Sequence, residues 1–257
     1  MVVLSGALLG LNRDENPERY ADSPLPQTAS AVTLIEKVEK KKEPVFKEPS
    51  HISLRDLPPK ERKKEFVKLM LPLIERANRE VLKERALLLK VREEASLSAE
   101  EREKLERLMR KYRTTDINEL LKRVNTVPPG LVLAQAAIES GWGTSRFFTE
   151  ANNAFGIYSF RGGKCIKAKG SSACLKVYSS LYESVRDYIY NLNVGWAYKR
   201  FRELRSRGAD IYTLIESLYG YSEMKDEYTE LVKKVVRKNR FDSIGEPLLA
   251  SNSSGIN

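Results

Sequence analysis

Histidine is nearly missing from this chain. Of 257 residues only His51 is a histidine, and it sits in a proline- and charge-rich stretch that reads as solvated linker. A Ser-His-Asp or Cys-His catalytic set would depend on that one ring, and a histidine-rich metal site is excluded. Cysteine is almost as scarce. Cys165 and Cys174 lie nine residues apart with lysines and glycine between them, a spacing suited to a disulfide pinning a hairpin. A pair of free thiols is the alternative, and a two-cysteine metal site lacks further ligands. No metal and no cofactor are therefore expected. Beyond the first eleven residues no run of about 18 apolar residues occurs, so no other membrane span is expected. Acids are absent from one stretch: between Ala151 and Tyr182 there is no Asp or Glu, but there are five lysines and arginines (Arg161, Lys164, Lys167, Lys169, Lys176). No basic-aromatic nucleic-acid module is visible either, and the net charge of +10 is spread among 35 acids, so nucleic acid is not the expected partner.

What is present divides the chain. Residues 1–57 begin with the apolar "MVVLSGALLGL", similar to a shortened signal-peptide core or anchor without its charged flank. They continue through runs such as "EKVEKKKEP" that read as linker. Residues 58–127 turn helical. Phe66, Leu69, Met70, Leu73, Ile74, Ala77 and Val81 recur at three- and four-residue steps and form one buried stripe. Ser98 followed by Glu101 has the capping-box spacing. These helices are expected to pack on a core at 128–242, and residues 243–257 read as a disordered tail. Within the core, "PPGLVLAQAAIESG" is a short helix apolar on every side, with Pro at its start and Gly141 at its end. Glycine-rich alternation after Asn153 predicts a small β-hairpin lobe, and helices follow it. The expected class is mainly α with one small β excursion.

Glu139 closes the apolar helix. Burial disfavours its charged form, a helix C-terminus disfavours negative charge, and the adjacent Trp142 supplies an apolar wall. Together these favour a proton held near neutral pH, as a general acid requires. The flanking glycines admit a bulky polymer to the backbone. The plain alternative makes Glu139 the first exposed residue after a buried helix.

The stretch "LAQAAIESGWGTSRF", followed by "NNAFGIYSF", resembles the bacterial glucosaminidase domain, glycoside hydrolase family 73. That family carries an AQ-x-x-x-ESGWG helix and then an N-x-F-G turn. The likeness runs from residue 60 to about 241 and includes "YESVRDYIYNLNVGWAYKRFRELR" and "YGYSEMKDEYTELVKKVVRKN". It implies a lysozyme-like α fold with a small β-hairpin lobe, and cleavage of peptidoglycan glycan strands after N-acetylglucosamine. It also implies Glu139 as catalytic acid, Phe155, Tyr178 and Tyr221 along the cleft with Trp142, and Asn153 and Gly156 shaping its floor. A periplasmic or envelope-bound monomer is the corresponding setting. The chain departs from the pattern at the second acid. Glu150 and Glu183 flank the acid-free stretch, with Glu150 the better placed. The sugar's own 2-acetamido group, or a water held by Tyr178 or Tyr221, are the other routes. Lytic transglycosylase chemistry and non-catalytic wall binding are the rival functions.

Overall fold

The computed structural model describes residues 54–93, 96–159, 163–168, 173–221 and 226–244. Residues 1–53, with the apolar N-terminal run and His51, and residues 245–257 of the expected tail lie outside them, whereas residues 54–57 and 243–244 are described. The described chain is mainly helical: α1 (Pro59–Glu93), α2 (Ala99–Tyr112), α3 (Ile117–Arg123), α4 (Pro129–Ser140) and α5 (Arg146–Ala151) precede a hairpin, β1 (Cys165–Lys167) and β2 (Cys174–Lys176). After it come α6 (Leu181–Val194), α7 (Lys199–Ser206), α8 (Ile211–Glu216) and α9 (Asp226–Asn239), with single 3-10 turns at Trp196–Tyr198, Tyr219–Tyr221 and Phe241–Ser243. Among the described residues no helix is long and apolar enough to cross a membrane.

α4 occupies the centre because its sequence leaves it no polar face. Ten of its residues are buried, including Leu131, Val132, Leu133, Ala134, Ala136 and Ala137. α1 lies across it and uses the predicted stripe: Phe66, Leu69, Met70, Leu73, Ile74, Ala77 and Val81 are all buried. Pro72 sits inside α1, where it removes one ladder hydrogen bond. α2 begins with the expected box, since Ser98 Oγ accepts from Glu101 N–H and the Glu101 carboxylate accepts from Ser98 N–H. α9 and the Phe241–Ser243 turn close the opposite side of α4. Gly130 is what lets that turn come near, since a Cβ there would stand 2.0 Å from the Phe241 carbonyl oxygen. One continuous apolar core runs from Leu54 to Phe241, so residues 58–127 and 128–242 share their interior.

Three buried arginines join the helices end to end. Arg85 donates to the carbonyls of Leu121 and Val124, and Arg205 to those of Lys122 and to Asn193 Oδ1. Arg202 donates to the Gly195 and Leu192 carbonyls. All of these acceptors lie at the C-terminal ends of α3 and α6, where carbonyls lack helical partners and the dipole welcomes a cation. Burial pulls the guanidiniums of Arg85 and Arg205 down, to about 10 and about 9, which leaves both charged at neutral pH.

The hairpin is antiparallel, with Ile166 opposite Leu175. Cys165 and Cys174 are joined by a disulfide, which ties the two strands at the positions the spacing suggested.

Candidate active site

The helix carrying Glu139 ends in an unusual turn. Gly141, Trp142 and Gly143 follow one another in the left-handed region, at φ 58°, 60° and 78°. A tryptophan there costs about 1–2 kcal/mol, and its surroundings hold it in place. Its N–H donates to the Ala137 carbonyl at 2.8 Å. Its ring meets Phe66 edge-on at 5.6 Å and Phe241 at 6.3 Å, with Lys63 Nζ 4.8 Å from its centre. The apolar contacts of Trp142 are therefore with α1 and the C-terminal turn.

Glu139 is 5% exposed, which decides against its being a surface residue at a helix end. A tyrosine hydroxyl meets it directly. Tyr228, on α9, donates its hydroxyl to Glu139 Oε1 at 2.9 Å. The Tyr228 oxygen in turn accepts from Gln135 Nε2 at 2.9 Å, and Gln135 Oε1 accepts from the Tyr188 hydroxyl on α6. Gln135 is the one polar residue within the apolar run of α4, and it is fully buried with Tyr228. Burial above all pushes both the Tyr188 and Tyr228 hydroxyls well above their ordinary values, followed by the Glu139 charge for Tyr228 and by Tyr198 and then Glu139 for Tyr188. They therefore remain protonated donors.

Aromatic packing fixes these rings. Tyr188 stacks on Phe155 with centroids 4.0 Å apart and planes 9° apart. Tyr221 stacks on Tyr228 at 5.3 Å and touches Tyr198 at 6.3 Å. Tyr221 is thus in the same cluster as Glu139, and so is Gly156. A Cβ on Gly156, whose φ is 64°, would lie 3.9 Å from Glu139 Oε2. The backbone of this turn therefore passes beside the second carboxylate oxygen. Asn153 pins the turn to the hairpin: its amide nitrogen donates to the Ile157 and Lys176 carbonyls, and its oxygen accepts from Ile157 N–H. Asn153 and Phe155 are each 1% exposed. They support the turn from behind, and Gly156 is the member that faces the acid.

The remaining predicted site residues lie elsewhere. Tyr178 donates its hydroxyl to Asp187 Oδ2 at 2.6 Å, and Lys176 Nζ lies 2.7 Å from the same oxygen. Burial, and then Asp187, raise the Tyr178 hydroxyl far above its ordinary range. Tyr178, Asp187 and Glu183 line a groove of about 340 Å³ between α1, α2 and α6 that does not include Glu139. Glu183 serves the start of α6, where its carboxylate accepts from Ser179 N–H at 3.0 Å. Glu150 is half-exposed on α5, with its carboxylate 3.7 Å from Arg146. The sequence-level reading missed Tyr228, Tyr188 and Gln135 as neighbours of the acid. Gln135 carried a usable signal, because a polar side chain in an otherwise apolar buried helix must find buried partners.

Comparison with known proteins gives the class to which this arrangement belongs. The family model described as mannosyl-glycoprotein endo-beta-N-acetylglucosaminidase, the glucosaminidase family, matches residues 115–241. The chain is also 33% identical over 193 residues to Protein bax of Escherichia coli (strain K12), a match covering 70% of each protein. The chain belongs to the glucosaminidase family, a family of glycoside hydrolases. It is similar as well to the exo-glucosaminidase LytG of Bacillus subtilis (strain 168), 27% identical over 134 residues and 47% of each chain. Among solved structures, the catalytic domain of the autolysin Auto from Listeria monocytogenes is 20% identical. That match covers 58% of this chain and 89% of that one at a TM-score of 0.38. A C-terminally truncated glycoside hydrolase domain from Salmonella typhimurium FlgJ is 21% identical, covering 53% and 97% at 0.36.

Proposed function

We propose that the protein hydrolyses peptidoglycan glycan strands at the bond after N-acetylglucosamine, cutting within the strand, with Glu139 as general acid. Its place of action is outside the cytoplasm, in the periplasm or cell envelope. The observation that carries this reading is the setting of Glu139. It is a nearly buried carboxylate, held through Oε1 by Tyr228, with Oε2 beside the glycine turn.

In this reading Glu139 gives its proton to the glycosidic oxygen as the bond from that oxygen to the sugar C1 breaks. Each acid described around the hairpin is engaged elsewhere: Glu150 with Arg146, Glu183 at the start of α6, and Asp187 with Lys176 and Tyr178. This favours the sugar's 2-acetamido oxygen as the group that closes on C1, a known exception to the two-carboxylate scheme. Water then adds to C1 and opens that ring, and Glu139 takes the proton water releases. Tyr221, stacked on Tyr228, flanks the reacting sugar.

Digestion of purified sacculi followed by mass spectrometry of the fragments tests this. Reducing N-acetylglucosamine ends are expected, and Glu139→Gln should remove them. Anhydro-muramic ends would instead make the protein a lytic transglycosylase, and co-sedimentation with sacculi without release of fragments would make it a wall-binding protein. NMR of the first-formed anomer should show retention, and inversion would return the base role to Glu150.

A further inference from the structure

Gln135, Tyr188 and Tyr228 form a hydrogen-bonded chain that runs in one direction and ends on Glu139. Tyr188 has one proton and gives it to Gln135 Oε1. With its oxygen so occupied, Gln135 presents its NH₂ group to Tyr228, whose oxygen accepts at 2.9 Å. The single Tyr228 proton then points at Glu139 Oε1, also at 2.9 Å. Gln135 and Tyr228 are 0% exposed, Tyr188 is 1% and Glu139 is 5%, so bulk water has little room to reorient any link. The rings are locked as well, Tyr188 against Phe155 and Tyr228 against Tyr221. A carboxyl oxygen that already receives a hydroxyl proton cannot carry its own proton along the same line.

We infer that Gln135 is a positioning residue which, through Tyr228, confines the acid proton of Glu139 to Oε2, the oxygen beside Gly156. The inference rests on Glu139 being the general acid, but it concerns something narrower, namely which of two oxygens delivers the proton. Reversing the amide of Gln135 would let Tyr228 donate to it, and Oε1 would then be free to take the proton, facing Tyr228 and away from Gly156. Tyr188 prevents this by holding the amide oxygen. The chain also polarises Tyr228 and so strengthens its bond to the ionised carboxylate. The same chain therefore acts after proton transfer, when Glu139 is negative.

Gln135→Met keeps the volume and removes both polar atoms, and Gln135→Glu supplies a competing acceptor for the Tyr228 proton. Both are compared with wild type and with Tyr188→Phe. The expected result is a fall in kcat of roughly 10- to 100-fold, with KM little changed. The descending limb of the pH–rate profile should move to higher pH, farthest in Gln135→Glu. The δ-carboxyl ¹³C signal of Glu139, assigned by its loss in Glu139→Gln, should titrate at higher pH in each variant. That titration needs no turnover. If wild-type protein releases no reducing N-acetylglucosamine ends but the signal shifts, the glucosaminidase reading fails while the chain stands. An unshifted titration in well-folded Gln135→Met overturns the inference, as does a loss of kcat with an unmoved pH profile. Should Gln135→Met fail to fold, Tyr188→Phe removes only one hydroxyl, and the same shift or its absence decides.

Discussion

Tyr228 donates its hydroxyl to Glu139 across 2.9 Å, although 89 residues separate the two along the chain. The last long helix thus completes a site whose acid belongs to the central one. Folding must therefore seat α9 on α4 before Glu139 acquires its surroundings, which ties the chemistry to the integrity of the C-terminal third.

The glycine turn beside the acid offers the most direct perturbation. Gly156 has φ 64°, and an added Cβ would sit 3.9 Å from Glu139 Oε2. Gly156→Ala should cost about 1 kcal/mol of stability from the backbone conformation alone. Activity should fall further than that stability loss explains, because the methyl group would occupy space beside Oε2, the oxygen proposed to deliver the proton. Thermal melts combined with sacculus digestion separate the two effects.

Gly130 tests a different contact. Its missing side chain admits the Phe241 carbonyl, which a Cβ would meet at 2.0 Å. Since the obstacle is backbone, Gly130→Ala should destabilise by roughly 2–3 kcal/mol, read as a lower urea midpoint. The Trp142–Phe241 contact should loosen with it, visible as a change in tryptophan emission.

The disulfide closes a short loop, nine residues from Cys165 to Cys174. Replacing both cysteines with serine should cost about 2–3 kcal/mol in the chain-entropy view. The loss should fall mainly on the hairpin and on the Asn153 turn it braces through the Lys176 carbonyl. Hydrogen exchange should therefore rise at Ile157 and Lys176 before it rises in α4.

Acid pH should act through the α2 cap. Lys90 first, then Ser98, hold the Glu101 carboxyl down at about 2 against an ordinary 4.5. A carboxylate depressed in the folded state contributes stability above its unfolded pKa and loses it as pH falls through the folded value. Wild-type stability should therefore decline between about pH 4.5 and 2 more steeply than that of Glu101→Gln. Urea midpoints at several pH values in that window measure the difference.

Much of the framework was legible in the sequence because its causes are local. The stripe from Phe66 to Val81, the Ser98–Glu101 box, the stop at Gly141 and the Cys165–Cys174 pair each follow from spacing within a few residues. The site was legible only in its acid. Trp142 read as the wall beside Glu139 because it is three residues away, but two glycines and a left-handed tryptophan set its ring against Phe66. The tyrosine beside the acid came from a helix whose pattern, "DEYTELVKKVV", marks Tyr228 as an ordinary buried position. Tyr178 was a cleft position implied by the family resemblance, and its hydroxyl is hydrogen-bonded to Asp187. Such pairings depend on how helices cross, which no short window of sequence contains.

The family match begins at residue 115, yet α1, which ends at Glu93, supplies Phe66 to Trp142 and Phe148 and lines one side of the central helix. The unit that folds is therefore larger than the stretch that the family model matches. A fragment cut at the family boundary would retain Glu139, Gln135, Tyr188 and Tyr228 but expose the apolar face of α4 to water. A minimal catalytic piece has to begin before Leu54, whose side chain fills the space next to Gly143, and extend past Phe241.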